Sequence, residues 1–461
     1  MELAGSRVLV AGAGVTGKSV TRALVSMGAL VTVTDGNAER LAELDGLGAE
    51  LVPGLSTPPE GTSLVVTSPG WRPSSPLLLA ASEAGVEVIG DVELAWRVGQ
   101  SREKPPVWLA ITGTNGKTTT VGMLEAMLRA AGVDAVACGN VGFAVIDAVL
   151  AGHQALAVEL SSFQLHWSNT LAPKASVVLN LAEDHIDWHG SMEAYAADKG
   201  KIHQRSATVV RNLADEWSVR LAEENASEEA VKIGFGLVSP LPGELGLVED
   251  LLVDRAFVPD PVHHAEELAE LGDVRPFGPH NVSNALAAAA LARAYGVDTA
   301  SVAKGLREFQ PGPHRAVEVA EINGVRYIND SKATNPHAAA GSLRSHTDVV
   351  WIAGGQLKGA SVDELVASIA GRLRGVVLLG VDSPVIAAAV ARHAPDVPVQ
   401  RLLSGDDEVM TAAVSAAGAM ARPGDVVLLA PAAASLDMFR DYAQRGDAFA
   451  EAVRALAIGQ A

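Results

Sequence analysis

The sequence predicts an α/β protein built from three domains. Two glycine-rich turns each follow a short apolar stretch and precede an amphipathic segment: GAGVTG after RVLVA (7–11), and GTNGKTTT after VWLAI (107–111). Beyond Pro311-Gly312-Pro313, apolar strands again alternate with helical segments. Strands that alternate with helices form parallel sheets covered on both faces. Three such series therefore indicate three α/β domains.

We expect the domain boundaries where polar, proline-rich stretches interrupt this alternation, as in GQSREKPP (99–106). The predicted domains are a Rossmann-like N-terminal domain over residues 1–98, a central P-loop ATPase-like domain over 107–311 and a C-terminal Rossmann-like α/β domain over 312–461. A chain of 461 residues has room for about three domains of ordinary size. Residues 212–276 are acidic and are expected to be irregular.

Composition excludes several classes of partner. The formal net charge is −19, and a surface that acidic repels nucleic acid and anionic membranes. The single cysteine, Cys138, rules out an internal disulfide and a cysteine zinc cluster. No apolar run reaches the ~18 residues of a membrane span, and the N-terminus lacks the pattern of a signal peptide. We expect a cytoplasmic protein, monomeric, without membrane insertion.

The first glycine-rich turn has the features of a phosphate or nucleotide site. GAGVTG (12–17) matches GxGxxG, and Asp35 ends the next strand about twenty residues later, as in dinucleotide-binding folds. With Lys18 and Ser19, the same turn also meets GxxxxGK[ST] literally. A turn without a ligand is the alternative. A further strand, 64–67, ends in Ser68-Pro69-Gly70, a second turn that can offer N–H groups to an anion.

The second turn is a competing phosphate loop. In GTNGKTTT the glycines allow N–H groups to face phosphate oxygens, Lys117 can reach the outer phosphates and the Thr118 hydroxyl can bind Mg²⁺. The strict pattern is not met, because Ile111 stands five positions before Gly116. A helix start that is merely capped is the alternative interpretation.

The availability of metal ligands decides between the two loops. Transfer of a γ-phosphate needs Mg²⁺, which prefers oxygen ligands. Glu159 ends a strand of the central domain, and Asp184-His185 follows another, so both can share a sheet edge with Thr118. We therefore assign ATP to residues 113–119 and a second phosphate-bearing ligand to residues 12–19.

Several other polar residues allow two interpretations. His185 and His189 have the H-x₃-H spacing of a zinc site, but Mg²⁺ or substrate contact is favoured, since no third ligand is near in sequence. Lys199 would by default lie on a solvated helix face. Asn281 and Asn284 are as compatible with helix capping as with recognition of an adenine edge.

Several segments together resemble the Mur ligase family, and the similarity runs from the first strand to the last helix. The family-wide segments are GTNGKTT, ELSSFQL (159–165), NLAEDHIDWH (180–189), YAADK (195–199), HNVSN (280–284) and PHR (313–315). Two further segments are specific to one member of the family: NDSKATN (329–335) and LAPAAASLDMFRDYAQRGDAF (429–449). The first of them is the best indicator of the amino acid that is added.

The resemblance implies a role for individual residues. It implies catalytic roles for Lys117, His185 and Lys199, and two Mg²⁺ ions held by Thr118, Glu159, His185 and a carbamylated Lys199. For ATP it implies Gly113, Thr114, Asn115, Gly116, Lys117, Thr118, Thr119, Asn281, Asn284, Arg315 and Asp330. For the UDP substrate it implies Val15, Thr16, Asp35, Ser68, Asn140 and Gln164. For D-glutamate it implies Lys332, Thr334, Lys358, Ser435 and Tyr442.

The resemblance also implies a reaction in peptidoglycan precursor synthesis. ATP phosphorylates the alanyl carboxylate of UDP-N-acetylmuramoyl-L-alanine, and the amine of D-glutamate attacks the acyl phosphate, giving ADP, phosphate and an amide. A related Mur or folylpolyglutamate-type ligase with another amino acid is the first alternative. An NAD-dependent oxidoreductase and a non-enzymatic ATP-controlled switch are the others.

Overall fold

The computed structural model describes residues 3–402 and 408–460. The chain divides into two compact units, which we call the first and the second unit. Of the described residues, the first unit contains 3–274 and 283–309, and the second contains 275–282, 310–402 and 408–460. Two sheets belong to the first unit and one sheet to the second.

The N-terminal sheet has five parallel strands in the order β3-β2-β1-β4-β5. Side chains of β1 alternate between two cores: Val8 and Val10 pack on one face, Leu9 and Ala11 on the other. Both faces are therefore buried, as the apolar sequence of β1 predicts. The elements are β1 Arg7–Ala11, α1 Val15–Ser26, β2 Leu30–Thr34, α2 Ala38–Ala42, β3 Glu50–Leu51, β4 Leu64–Thr67, α3 Pro76–Glu83, β5 Glu87–Gly90 and α4 Asp91–Gln100.

The central sheet has nine strands in the order β14-β13-β12-β11-β10-β9-β6-β8-β7, parallel from β12 to β7. Its first elements are β6 Val107–Thr112, α5 Lys117–Ala130, β7 Ala135–Gly139, α6 Val145–Ala151, β8 Ala155–Glu159, α7 Ser162–His166, β9 Ala175–Val178, α8 Ile186–His189 and α9 Met192–Gly200. Because β8 and β9 flank β6, the segments that follow these three strands meet at one edge.

The expectation of an irregular stretch over 212–276 is wrong. This stretch contains α10 Glu216–Asn225, β11 Val231–Phe235, β12 Glu244–Val248, β13 Leu251–Asp254 and β14 Glu266–Glu270, after β10 Thr208–Asn212. β12, β13 and β14 pair antiparallel. Strands at the border of a sheet tolerate acidic residues on an exposed face, which weakens their apolar pattern in the sequence. The two helices that complete this series are α11 Pro279–Tyr295 and α12 Thr299–Glu308.

The third sheet, in the second unit, has the order β15-β16-β20-β17-β18-β19. Only β15 runs antiparallel to its neighbour among the described strands of this sheet. Its elements are β15 Val317–Ile322, β16 Val325–Asn329, α13 Pro336–Arg344, β17 Val349–Gly354, α14 Asp363–Ile369, β18 Leu373–Leu379, α15 Ser383–His393, β19 Val399–Arg401, α16 Val409–Met420, β20 Val426–Leu429 and α17 Tyr442–Gln460.

The three sheets confirm the predicted α/β class and its three-part architecture. The boundaries at 98, 107 and 311/312 stay a prediction. Within the described part of the chain, no helix is both long and apolar enough to cross a membrane.

Candidate active site

The loop between β6 and α5 has the backbone conformation of an anion-binding turn. Gly113 and Gly116 have φ values of 153° and 85°, which L side chains rarely adopt, and Gly116 is the N-cap of α5. The N–H of Thr114 donates to the carbonyl of Asn180 at 2.9 Å, and the N–H of Asn115 donates to the Asn180 Oδ1 at 2.9 Å. Asn180 thus fixes the loop in front of the α5 N-terminus, the end of a helix that attracts anions.

Lys117 folds back over this loop. Its Nζ donates to the carbonyls of Gly113 and Thr114, each at 2.9 Å. The ammonium therefore lies beside the turn that the sequence predicts to hold phosphates.

Glu159 brings a carboxylate to the same edge, because β8 lies next to β6. Its side chain is 2% exposed, and both oxygens accept hydrogen bonds. The Thr118 hydroxyl donates to Oε2 at 2.7 Å, and the Asn140 Nδ2 donates to Oε1 at 3.0 Å. At Gly139 an added Cβ would lie 2.0 Å from the Glu159 carbonyl, so this close approach requires glycine. The predicted grouping of Thr118 with Glu159 is present.

Lys199 does not lie on a solvated helix face. It is 2% exposed, and its Nζ donates to Thr112 Oγ1 at 3.1 Å and to the carbonyl of Gly113 at 2.9 Å. Burial, and after it the charge of Lys117, hold the pKa of Lys199 well below the usual lysine value. The alternative of an ordinary surface lysine is wrong.

His185 is the N-cap of α8 and has a positive φ of 56°. Its Nε2 lies 3.5 Å from Asp184 Oδ2, and its ring meets the ring of Phe163 edge-on at 4.7 Å between centroids. The site is thus formed by segments that follow β6, β8 and β9.

His189 has a different environment from His185. Its Nδ1 lies 3.1 Å from Asp198 Oδ2, and its Nε2 lies 2.9 Å from the Ser162 hydroxyl. Asp198 also bonds His166 and Lys201. Burial acts to raise the pKa of Asp198, but the bonds with His166 and His189 outweigh it and lower that pKa. Since both ring nitrogens of His189 have protein partners, its position does not favour the zinc interpretation.

The N-terminal turn is held by Asp35. The N–H of Ala13 donates to Oδ2 at 2.7 Å, and the N–H of Asn37 donates to Oδ1 at 2.8 Å. Val15 is 79% exposed beside this turn. Ser68 Oγ is buried and has no hydrogen-bond partner among the described residues, and a Cβ at Gly12 would lie 2.5 Å from it. Val15, Ser68 and Asp35 thus lie on segments at the carboxyl edge of the first sheet.

Ser19 has a structural partner. Its hydroxyl donates to the Asp147 carboxylate on α6 at 2.7 Å. This bond connects α1 with α6, a helix of the central sheet. In a GxxxxGK[ST] phosphate loop the same hydroxyl would bind a metal ion, but here Asp147 accepts its hydrogen bond. The choice of residues 113–119 for ATP is consistent with this arrangement.

Gln164 is buried in a network of its own. Its Oε1 accepts from the N–H of Ser161 at 3.0 Å, and its Nε2 donates to Asp91 Oδ2 at 3.3 Å. Burial raises the pKa of Asp91 to about 6. The predicted contact of Gln164 with the muramoyl part of the substrate stays a prediction.

Asn281 and Asn284 differ in their neighbours. Asn284, in the first unit, faces the phosphate loop, because a Cβ at Gly116 would lie 2.4 Å from its Oδ1. Asn281, in the second unit, donates from Nδ2 to the carbonyl of Pro276 at 2.9 Å.

In the second unit, most of the predicted residues follow the carboxyl ends of β16, β17 and β20, which are adjacent in the sheet, while Tyr442 begins α17. Asp330 accepts from the N–H of Ala316 at 3.2 Å, and burial raises its pKa to about 6. Lys332 Nζ lies 3.8 Å from the centroid of the Tyr442 ring.

Thr334, Lys358 and Ser435 follow the same strands, whereas Arg315 precedes β15. Thr334 donates its N–H to the Lys332 carbonyl at 2.8 Å. Lys358 has a positive φ of 51°, and Ser435 is buried. Arg315 lies next to His314 and Ala316, both of which have positive φ.

Three residues of these sites carry no direct signal in the amino-acid sequence. Asn180 and Tyr195 brace Thr114, the second through a hydrogen bond of 3.0 Å between the two hydroxyls. Arg445 lies fully buried under the loops of the second unit. All three stand inside the segments that carry the family resemblance, but long-range contacts alone give them their roles.

Comparisons with known proteins agree with this geometry. A model of the Mur ligase middle domain matches residues 111–292, and one of the Mur ligase glutamate ligase domain matches 314–433. Residues 2–68 match the C-terminal domain of alanine dehydrogenase/PNT.

Relatives match over nearly the whole chain. The UDP-N-acetylmuramoylalanine--D-glutamate ligase of Thermobifida fusca is 58% identical and is covered over its full length by 99% of this chain. The protein of the same name from Streptomyces coelicolor is 55% identical, with 99% of each chain covered.

Solved structures agree in fold. The UDP-N-acetylmuramate-alanine ligase of Thermotoga maritima superposes with a TM-score of 0.58 at 19% identity, covering 98% of this chain and 99% of its own. The MurF ligase of the same organism, solved with ADP, has a TM-score of 0.58 at 16% identity, covering 100% of this chain and 97% of its own.

The phosphate loop, its neighbouring carboxylate and these matches define an ATP-dependent amide ligase. The chain belongs to the Mur ligase family.

Proposed function

We propose that this ligase adds D-glutamate to UDP-N-acetylmuramoyl-L-alanine in peptidoglycan precursor synthesis. The choice of substrates rests on the 58% identity, over its full length, with the Thermobifida fusca protein named UDP-N-acetylmuramoylalanine--D-glutamate ligase. The segment NDSKATN (329–335), which the family resemblance makes the indicator of the amino acid added, supports the same choice and begins at the last residue of β16. We further propose that the protein acts in the cytoplasm as a monomer.

The arrangement of residues 113–119 supports ATP as the phosphoryl donor. The α5 N-terminus and the Lys117 ammonium can neutralise charge on the phosphates as it shifts during transfer. Asn284 would face the adenine side, and Arg315 and Asp330 are assigned to the same nucleotide by the family resemblance. The second phosphate-bearing ligand, the UDP part of the substrate, is assigned to Val15, Thr16, Asp35 and Ser68, with Asn140 and Gln164 along the muramoyl part.

Magnesium fits the donor set at Glu159. A hydroxyl oxygen and a buried carboxylate lie 2.7 Å apart, and both are oxygen ligands of the kind that Mg²⁺ takes. Thr118 and Glu159 would hold one ion, and His185 with Lys199 a second. Bound Mg²⁺ would polarise phosphate oxygens and lower the cost of bringing an anionic carboxylate to ATP.

Lys199 would join the second ion as a carbamate. Its neutral amine attacks the carbon of CO₂, forms an N–C bond and loses one proton, which turns a cation into an anionic oxygen ligand. The reaction needs the uncharged amine, and the lowered pKa of Lys199 increases the fraction of this form. We expect the rate to fall in CO₂-depleted buffer and to return with bicarbonate. An unchanged rate would contradict the carbamate.

In this reaction the alanyl carboxylate attacks the γ-phosphorus, and ADP leaves. The amine of D-glutamate then attacks the acyl carbon, loses a proton and displaces phosphate. Lys332, Thr334, Lys358, Ser435 and Tyr442 would hold D-glutamate. The paired Lys332 and Tyr442 offer a cation whose position is fixed by the ring beneath it.

The test is phosphate release from ATP with UDP-N-acetylmuramoyl-L-alanine and one amino acid at a time. We expect turnover with D-glutamate and a rate at least a hundredfold lower with L-glutamate, L-lysine and diaminopimelate. Equal turnover with another of these amino acids would contradict the assignment of D-glutamate. Nucleotide-dependent binding of another protein, with no turnover of any of these substrates, would contradict an enzymatic function.

A further inference from the structure

Arg445 is a fully buried cation on the second turn of α17. Its guanidinium bonds with no carboxylate among the described residues. Its acceptors are the hydroxyl of Ser331 at 3.0 Å from Nε, the carbonyl of Ser331 at 2.9 Å from Nη2 and the carbonyl of Ala433 at 3.1 Å from Nη1. A longer contact of 3.4 Å joins Nη1 to the carbonyl of Gly354. Burial lowers the pKa of Arg445 only to about 10, so the side chain is charged at neutral pH.

These acceptors stand at the ends of three adjacent strands. Ser331 follows β16, Ala433 follows β20, and Gly354 ends β17, and these strands are neighbours in the order β16-β20-β17. One planar group with five N–H donors thus joins all three segments. The charge of Asp437 acts on Arg445 without a direct bond. A buried cation that bonds no carboxylate is costly, and an apolar side chain of similar volume would avoid that cost.

Other contacts of α17 also involve Ser331 and the end of β16. The Ser331 hydroxyl donates to the carbonyl of Tyr442 at 2.7 Å, so Ser331 links Arg445 to the start of its own helix. Asn329 Nδ2 donates to the carbonyl of Gly446 at 2.8 Å. A Cβ at Gly446 would lie 2.2 Å from His314 Nδ1, so the helix packs closely on these segments.

We propose that Arg445 is a positioning residue for D-glutamate, which sets the relative placement of the three strand-end segments that bind this amino acid. The inference rests on the proposed function, because Lys332 and Thr334 follow Ser331, Ser435 follows Ala433, and Lys358 follows Gly354 by four residues. D-glutamate carries two carboxylates, so its binding requires cations and donors from different segments at fixed separations. The guanidinium also adds a positive charge beneath this anion-binding surface.

The test compares R445K, which keeps the charge but loses the planar fork, with wild type. We expect the KM for D-glutamate to rise at least tenfold, while the KM values for ATP and UDP-N-acetylmuramoyl-L-alanine stay within about twofold. A matched control is R293K in the first unit, where Arg293 bonds Asp254 and Glu266. This variant should lose thermal stability without changing the KM for D-glutamate.

A second variant, S331A, removes the Nε acceptor with a minimal change of volume and keeps the test readable if R445K does not fold. We expect S331A to raise the KM for D-glutamate and the double variant to show less than the product of the single effects, because the two side chains act as one unit. An unchanged KM for D-glutamate in R445K and S331A, or equal rises for all three substrates, would overturn the proposal. Absence of D-glutamate-dependent turnover in wild type would instead overturn the proposed function.

Discussion

Replacement of Gly116 by alanine tests whether residues 113–119 hold ATP. Gly116 has a φ of 85°, and an added Cβ would lie 2.4 Å from Asn284 Oδ1, 3.2 Å from its Cγ and 3.3 Å from Leu179 Cδ1. A left-handed conformation costs an alanine about 1–2 kcal/mol, which lowers the stability of the fold. Relief of the contact requires Asn284 to withdraw by roughly 0.6–1 Å, to the distance at which real Cβ contacts occur.

The matched control is Gly132→Ala at the other end of α5. Gly132 has a φ of 77°, and its added Cβ would meet nothing within 4 Å. Both variants should therefore lose about 1–2 kcal/mol from backbone strain, and Gly116→Ala should show the larger fall in Tm because its Cβ also clashes with Asn284. They differ in what the new methyl group displaces.

A displacement of about 1 Å in a group that positions a substrate can lower a rate about a hundredfold. We therefore expect kcat/KM for ATP to fall 10- to 100-fold in Gly116→Ala and to stay within about threefold of wild type in Gly132→Ala. The assay is phosphate release at varied ATP with both other substrates saturating, alongside thermal unfolding. Equal kcat/KM values for ATP in the two variants would refute the assignment of ATP to this loop.

Two further predictions concern the first unit. Gly17→Ala would place a Cβ 1.8 Å from the carbonyl oxygen of Gly12, so we expect the KM for the UDP substrate to rise at least tenfold with little change in the KM for ATP. The control is Gly85→Ala, whose Cβ would meet nothing within 4 Å. A change confined to the KM for ATP would contradict the prediction. His203 is buried against Ser176, and burial lowers its pKa from 6.5 to about 3. Between these pH values the unfolded chain binds more protons than the folded protein, so the free energy of unfolding decreases as the pH falls below 6.5. Between pH 7 and pH 5 this group should remove about 2 kcal/mol from the free energy of unfolding, and His203→Asn should lose correspondingly less than wild type in urea titrations at the two pH values. Equal losses in both proteins would contradict the role of His203.

Much of the candidate site could be predicted because it depends on strand ends. The position of Glu159 at the end of an apolar stretch, beside GTNGKTTT, was sufficient to place it near Thr118, since neighbouring parallel strands end at one edge. The same reasoning preferred residues 113–119 over the better pattern match at 12–19. The bond between Ser19 and Asp147 joins residues 128 positions apart, and no local pattern reports such a bond.

Other features depend on burial and partners that are distant in sequence. Lys199 has an ordinary helical context, and only the packing of α9 against Thr112 and Gly113 makes it a buried amine. Arg445 takes its acceptors from segments that follow three different strands. The strands within 212–276 lack a clear apolar pattern in part because β14, at the border of the sheet, has exposed glutamates at three of its five positions.

The most direct test of the account is the fate of oxygen during turnover. UDP-N-acetylmuramoyl-L-alanine labelled with ¹⁸O in both carboxylate oxygens is incubated with ATP and D-glutamate, and the released phosphate is analysed by mass spectrometry. Phosphorylation of the carboxylate followed by attack of the amine transfers one labelled oxygen to each phosphate and leaves the other in the amide. We predict one ¹⁸O per phosphate formed, and unlabelled phosphate in the presence of amide product would contradict the acyl-phosphate route.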